Sequence, residues 1–207
     1  RPWTLDCANV HVSMVGFDDG TEALRMLDGV HKTAINADLT SAVDLTAAVR
    51  SGANRGLSFQ GPSPKAPFDI TLNAAIRLLT ESGNPTGRPN SDVVRPLVGA
   101  ADLTGVPRQR WTIDFGLLPC SQACLYEAPF AHVEKLVLPI RSGNRRASYA
   151  QRWWQFAEAR PRLRQALRGM PVCLATPCHS KHRVFVPVNA ESLCDQATIV
   201  FARADDY

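Results

Sequence analysis

Long hydrophobic runs are missing from this sequence: no window approaches the roughly 18–20 uninterrupted apolar residues that a membrane span requires. The opening Arg1-Pro2-Trp3-Thr4 lacks the apolar core of a secretory leader, so no membrane partner is expected. The six cysteines stand without paired CxxC spacing and without the density of a secreted disulfide framework, which points to reduced thiols and a cytoplasmic location. Cys173 and Cys178 with His179 or His182 come nearest to a metal set, but structural zinc usually takes ligands in pairs about two to four residues apart, and no metal is expected. There is no internal repeat and no low-complexity tract, which excludes solenoids and tethering segments.

The usual marks of catalysis are missing as well. A nucleotide or methyl-donor site calls for a glycine-rich turn after a strand, and base methylation for an Asn/Asp-Pro-Pro-aromatic or Pro-Cys motif. Asn84-Pro85-Thr86-Gly87 looks similar but follows a predicted helix, lacks the second proline and has no aromatic to hold a flipped base; it reads as a helix-terminating turn. Cys178 beside His179 supplies no orienting acid or oxyanion hole, and Ser13, Ser58 and Ser180 lack a GxSxG context. Asp18-Asp19 and Asp205-Asp206 read as solvated turn and terminus. No catalytic residue is assigned.

What the sequence does have is arginine in one place. Between Arg141 and Arg183, ten of the 23 basic residues stand against one carboxylate, Glu158, although the whole protein is only +4; the remainder is net acidic. A cationic stretch on a near-neutral scaffold is the electrostatic footprint of a surface that meets phosphates, because each neutralised phosphate releases condensed counterions.

Periodicity places this stretch in a mixed α+β fold, a mixed sheet with helices packed on it. Val10–Phe17 reads as a buried strand, closed by Asp18-Asp19-Gly20 and paired with Glu22–Leu27 as a hairpin. Leu57–Gly61 is a short strand or turn; Asp69 or Thr71 caps a helix with Leu72, Ala75, Ile76 and Leu79 on one face, ended by Gly83 and Pro85. Arg110–Phe115 alternates as a strand, Ser121 opens a helix and Pro129 restarts it. Tyr149–Gly169 is the strongest helical segment, with Trp153 and Trp154 inward, Pro161 as a restart, and Arg160, Arg164 and Arg168 on one face at i, i+4, i+8. Strands follow at Val172–Thr176, Arg183–Val188 and Ala197–Ala202, and the turn between the first two gathers short donors and long cations.

The ordered motifs Val12-Ser13-Met14-Val15-Gly16-Phe17, Ile35-Asn36-Ala37-Asp38-Leu39-Thr40, Gly56-Leu57-Ser58-Phe59-Gln60-Gly61, Asn90-Ser91-Asp92-Val93-Val94 and Trp111-Thr112-Ile113-Asp114-Phe115-Gly116 carry a family likeness. It continues through Tyr126-Glu127-Ala128-Pro129-Phe130, Trp153-Trp154, Arg160-Pro161 and Thr176-Pro177 to Ser180-Lys181-His182-Arg183-Val184-Phe185. The sequence resembles the region C-terminal to the catalytic motif in MmeI-like class I DNA methyltransferases that use S-adenosylmethionine, which include large single-chain type IIG restriction-modification enzymes. The resemblance implies a DNA target-recognition domain at 46–207, with strands at 1–45 left from the edge of the methyltransferase domain, in a fragment of a larger enzyme. It implies double-stranded DNA and the catalytic domain of the same polypeptide as partners. It also implies adenine-N6 methylation by that other domain, which would hold S-adenosylmethionine, with no cofactor in this fragment. Cys7, Cys120, Cys124 and Cys178 depart from the small or polar residues the resemblance leads one to expect.

From charge and turn placement, Arg141, Arg145, Arg146, Arg160, Arg164 and Arg168 are expected to hold phosphates, and Thr176, His179, Ser180, Lys181 and Arg183 to read bases. Two other functions compete: a single-stranded nucleic-acid or RNA module stacking bases on Trp153-Trp154, and a protein-interaction domain whose arginines only solubilise one face.

Overall fold

The computed structural model describes residues 2–203 apart from 6, 7, 12, 45, 47, 50, 53, 54, 182 and 183. The chain divides into two compact units, Arg1–Ser51 and Gly52–Tyr207.

The first unit holds two antiparallel hairpins, β1 (Pro2–Leu5) with β2 (Ala8–His11) and β3 (Arg25–Leu27) with β4 (Val30–Lys32). Of the strand expected over Val10–Phe17 only Val10 and His11 pair, at the end of β2; residues 13–17 have no regular structure, and Met14 and Phe17 are 82% and 92% exposed. Val12 lies outside the described residues. An apolar run becomes a buried strand only where a second layer covers it, and the described residues put none there. Asp18-Asp19-Gly20 does turn, with both carboxylates accepting backbone N–H groups two residues on. The hairpin, however, closes at Asp28-Gly29. Both residues have positive φ, 51° and 80°, as the primed turns of two-residue hairpins require.

The second unit is α+β, as the sequence predicts, and its strands form two four-stranded sheets. One runs β11 (Leu193–Cys194), β7 (Val94–Val98), β8 (Arg110–Ile113), β6 (Asp69–Ile70), with β11 parallel to β7 and the other pairs antiparallel. Helix α1 (Leu72–Thr80), α4 (Glu127–Ser142) and the 153–156 segment complete its core, in which Phe68, Ile113, Val133 and Val137 are fully enclosed. The other sheet, β10 (Val186–Asn189), β9 (Val172–Pro177), β12 (Thr198–Phe201), β5 (Ser58–Gln60), is antiparallel throughout. It covers a smaller core of Leu163, Cys173, Ala175, Val188, Cys194 and Val200. Gly61 joins β5 to the rest at a close approach: a Cβ there would lie 2.1 Å from the Asp195 carbonyl oxygen.

Thr71 is the N-cap of α1, its hydroxyl accepting from Ala74 N–H at 3.3 Å. The helix buries Ala75 and Leu78 rather than the Leu72–Ile76 pair, which stay 37% and 52% exposed, so the apolar stripe is rotated from its predicted face. Buried Asn90 closes its far end, donating to the Leu78 and Glu81 carbonyls. Central strand β7 contains Pro96, a residue that argues against a strand from sequence alone. Short helix α2 (Ala100–Thr104) lies between β7 and β8, and α3 (Cys120–Ala123) leads from β8 to α4.

The long helix predicted over Tyr149–Gly169 is two short ones, α5 (Ala147–Gln151) and α6 (Pro161–Ala166), separated by a turn at 152–154 and an irregular stretch that bridges Ser63 through Glu158. Proline disfavours α geometry in the residue before it, and Arg160 sits at φ 51°. Among the described residues no helix is long and apolar enough to cross a membrane.

Candidate nucleic-acid interface

The arginine block folds around the non-helical 152–160 segment, and its members part company there. Arg141, in the last turn of α4, is 2% exposed. Its Nη1 donates to the carbonyls of Arg152, Trp153 and Gln155 and its Nη2 to that of Pro64, so one guanidinium clips the turn after α5 to the chain before β6. The charge lies 5.2 Å from the Phe68 ring centroid and 5.5 Å from that of Tyr149. Burial pulls the Arg141 pKa down from its ordinary value, with Tyr149 acting the other way.

Arg164 makes a fork to the Asp114 carboxylate at 2.7 and 2.9 Å, and its Nε donates to the Ala159 carbonyl. The Asp114 side chain is 1% exposed, so the ion pair ties α6 to the end of β8 through the protein interior. Arg160 donates to Gln60 Oε1, to the Gly61 carbonyl and to Glu158. The shared face expected for Arg160, Arg164 and Arg168 therefore does not exist: Arg160 precedes the helix, Arg164 turns inward and Arg168 is exposed.

Arg145 and Arg146 are exposed, and so are Arg152 and Arg162, which join Arg168 in facing solvent. Arg146 Nη1 donates to the Tyr149 hydroxyl at 3.0 Å, which steadies the cation over the ring. This outward set is the part of the block that the structure leaves open to solvent.

The expected base readers cluster at the end of β9. Thr176 is half-buried opposite Ile199, and Cys178 N–H donates to the Ala197 carbonyl, so the strand pairing continues to the start of the turn. His179, Ser180 and Lys181 then project as exposed residues, while His182 and Arg183 lie outside the described residues. Thr176 shares its sheet face with Leu174, Ile199 and Phe201, an outer apolar face completed by Phe185 packed edge-to-face on Phe201 at 5.5 Å.

Trp153 and Trp154 face inward as the sequence predicts, and the stacking platform of the competing single-strand reading is not built. Trp154 is 9% exposed and its Nε1 donates to the Leu118 carbonyl, while Trp153 packs 5.2 Å from Phe130 against the main core. Asn84 holds a turn as its sequence suggests, bonding the Arg88 carbonyl, Asn90 and Glu127 N–H. Burial raises the Cys178 pKa, and nearby Asp195 adds to the shift, the reverse of what activates a nucleophile. Among the described residues no three His, Cys, Asp or Glu side chains converge as a metal site. The part of the site missed in the sequence is a cavity of about 210 Å³ beside Arg141; its members are scattered among apolar and extended positions and carry no motif.

No protein-family description matches this sequence, and no curated protein matches it. A solved structure does: the type IIL restriction-modification enzyme MmeI in complex with DNA superimposes with a TM-score of 0.60 at 16% identity, covering 85% of this chain. The matched part is 23% of that enzyme's chain, and at this identity the likeness is one of fold.

Proposed function

We propose that this chain recognises a specific sequence in duplex DNA, as the specificity domain of a restriction-modification enzyme that methylates adenine at N6. The observation that carries the reading is the solvent-facing arginine set, Arg145, Arg146, Arg162 and Arg168, on a fold shared with an enzyme solved on DNA. Phosphate contacts from these long cations position a protein on the duplex, and donors at a strand-end turn reach base edges. His179, Ser180, Lys181 and Thr176 are the readers in this proposal, with Arg183 beside them. Methyl transfer and its donor belong, in this reading, to the catalytic domain of the parent polypeptide.

The test is fluorescence anisotropy with a randomised duplex over a salt series, repeated with Arg145, Arg146 and Arg168 all changed to Ala. Affinity that falls steeply with salt, with a log–log slope smaller by about 2–3 in the triple variant, supports the reading. A slope unchanged by the triple variant, or binding to oligo-dT that exceeds duplex binding, refutes it.

A further inference from the structure

Arg141 is a buried cation with no carboxylate to balance it. Among the described residues it joins no ion pair; its terminal nitrogens spend their hydrogens on neutral carbonyls, and its Nε, enclosed by protein, has no hydrogen-bond partner. Burying an uncompensated charge is costly, and a nearby anion is the usual relief. Carboxylates perform this service for Arg164 and Arg110 in the same unit, through Asp114, Asp102 and Asp195.

The cavity of about 210 Å³ lies against Arg141, and its other polar lining comes from Ser148, Tyr149, Arg152 and Gln155. No carboxylate lines it. Arg152 and Ser148 are exposed, so the cavity opens to solvent at its arginine rim. The donors are already poised. The Tyr149 hydroxyl accepts from Arg146, which leaves its own hydrogen to give, and Gln155 spends one amide hydrogen on the Leu118 carbonyl, which leaves the second. At ~30 Å³ of liquid volume per water, the space holds about seven waters, enough for a small tetrahedral oxyanion with part of its hydration and too little for a nucleoside.

We propose that the cavity between α5 and the start of α6 is a phosphate-binding site, in which Arg141 and Arg152 supply the charge and Ser148, Tyr149 and Gln155 the directional donors. Phosphate suits this set better than a carboxylate, because its oxygens accept from many directions while a carboxylate satisfies one planar fork. The group arrives either as a phosphodiester of a nucleic-acid backbone or as a free phosphate or phosphomonoester, whose nucleoside then remains outside the mouth.

Calorimetric titration of the whole chain with sodium phosphate tests this, with sodium chloride holding ionic strength constant, so no DNA is present and the result is independent of the reading above. Saturable binding is expected, weakened about tenfold or more in Arg152→Gln and a few-fold in Tyr149→Phe, with melting temperatures unchanged in both. Two further arms separate the sources. Competition of phosphate with a duplex assigns the site to the backbone, whereas adenosine 5′-monophosphate binding tighter than phosphate without displacing the duplex assigns it to a phosphomonoester. Absence of saturable phosphate binding into the tens of millimolar, or equal binding by the folded Arg152→Gln variant, overturns the proposal.

Discussion

Two sets of arginines within one segment are used in opposite ways. Arg141, Arg160 and Arg164 point into the fold and bond carbonyls, Gln60, Glu158 and Asp114; Arg145, Arg146, Arg162 and Arg168, interleaved with them, point out. Identical side chains therefore hold the domain together at some positions and remain available to a ligand at others. What separates them is backbone geometry. The chain leaves α4 at Gly143, makes one turn of α5, passes through turns and irregular structure to Arg160 and re-enters a helix at Pro161, so residues close in sequence face in different directions. Charge counted along the sequence treats both groups alike.

The comparison is broken most severely from the inside. Arg164→Ala strands the Asp114 carboxylate in the core and is expected to cost about 3–5 kcal/mol in urea unfolding, since a buried charge loses its partner. Replacing both residues together, Arg164→Met with Asp114→Leu, should recover most of that loss, because the desolvated pair disappears as a unit. If the single and double variants are equally destabilised, the pair is not what ties α6 to β8.

A smaller loss is expected from Asp102→Asn. Asp102 accepts from the Gly99 and Arg108 N–H groups and from the Arg108 and Arg110 side chains. Burial works to raise its pKa, but those hydrogen bonds outweigh it and hold the carboxyl well below the usual carboxylate range. A depressed pKa contributes stability above the unfolded value near 3.9 and loses it as pH falls toward the folded value. The urea midpoints of Asp102→Asn and the parent should therefore differ most at neutral pH and draw together below about pH 4.

The outward set should behave in the reverse manner to Arg164. Changing Arg145, Arg146 and Arg168 to Ala should leave stability within about 0.5 kcal/mol per site while altering the salt dependence of DNA binding. A large drop in unfolding free energy would show that these side chains are structural after all, and the contrast between the two groups would disappear.

The smallest effect expected is at His132 on α4. Burial, followed by Arg77 and Lys135, lowers its pKa, so the folded state favours the neutral ring. Stability should be complete above about pH 6.5 and decline as pH falls from there toward the lower folded value, since the unfolded chain takes up the proton first. His132→Gln should flatten that decline in melting curves between pH 7 and 5.

Local signals carried through where one segment decides its own structure. Thr71 caps α1, Pro129 lies in the first turn of α4, Pro161 begins α6, and β8, β9 and β12 occupy their predicted stretches. They failed where a neighbour decides. Met14 and Phe17 belong to a run with the composition of a core strand yet stay exposed, and the hairpin closes at Asp28-Gly29 rather than at Asp18-Asp19-Gly20. The apolar periodicity around Trp153 and Trp154 is compatible with a helix, yet the stretch forms a turn held by hydrogen bonds to Leu118 and from Arg141.

The sequence by itself determined the α+β class, the cap of α1, several of the strands, and the concentration of arginine in one segment, because propensity, capping and charge are properties of neighbouring residues. Which arginines face inward, whether the tryptophans are available to a base, and the existence of a carboxylate-free cavity beside Arg141 were decided only in the tertiary structure. Those outcomes depend on which carbonyl or carboxylate waits 10 to 100 residues away, as Gln155 does for Arg141, Asp114 for Arg164 and Gln60 for Arg160, and pairings at such separations leave no periodic trace in the chain.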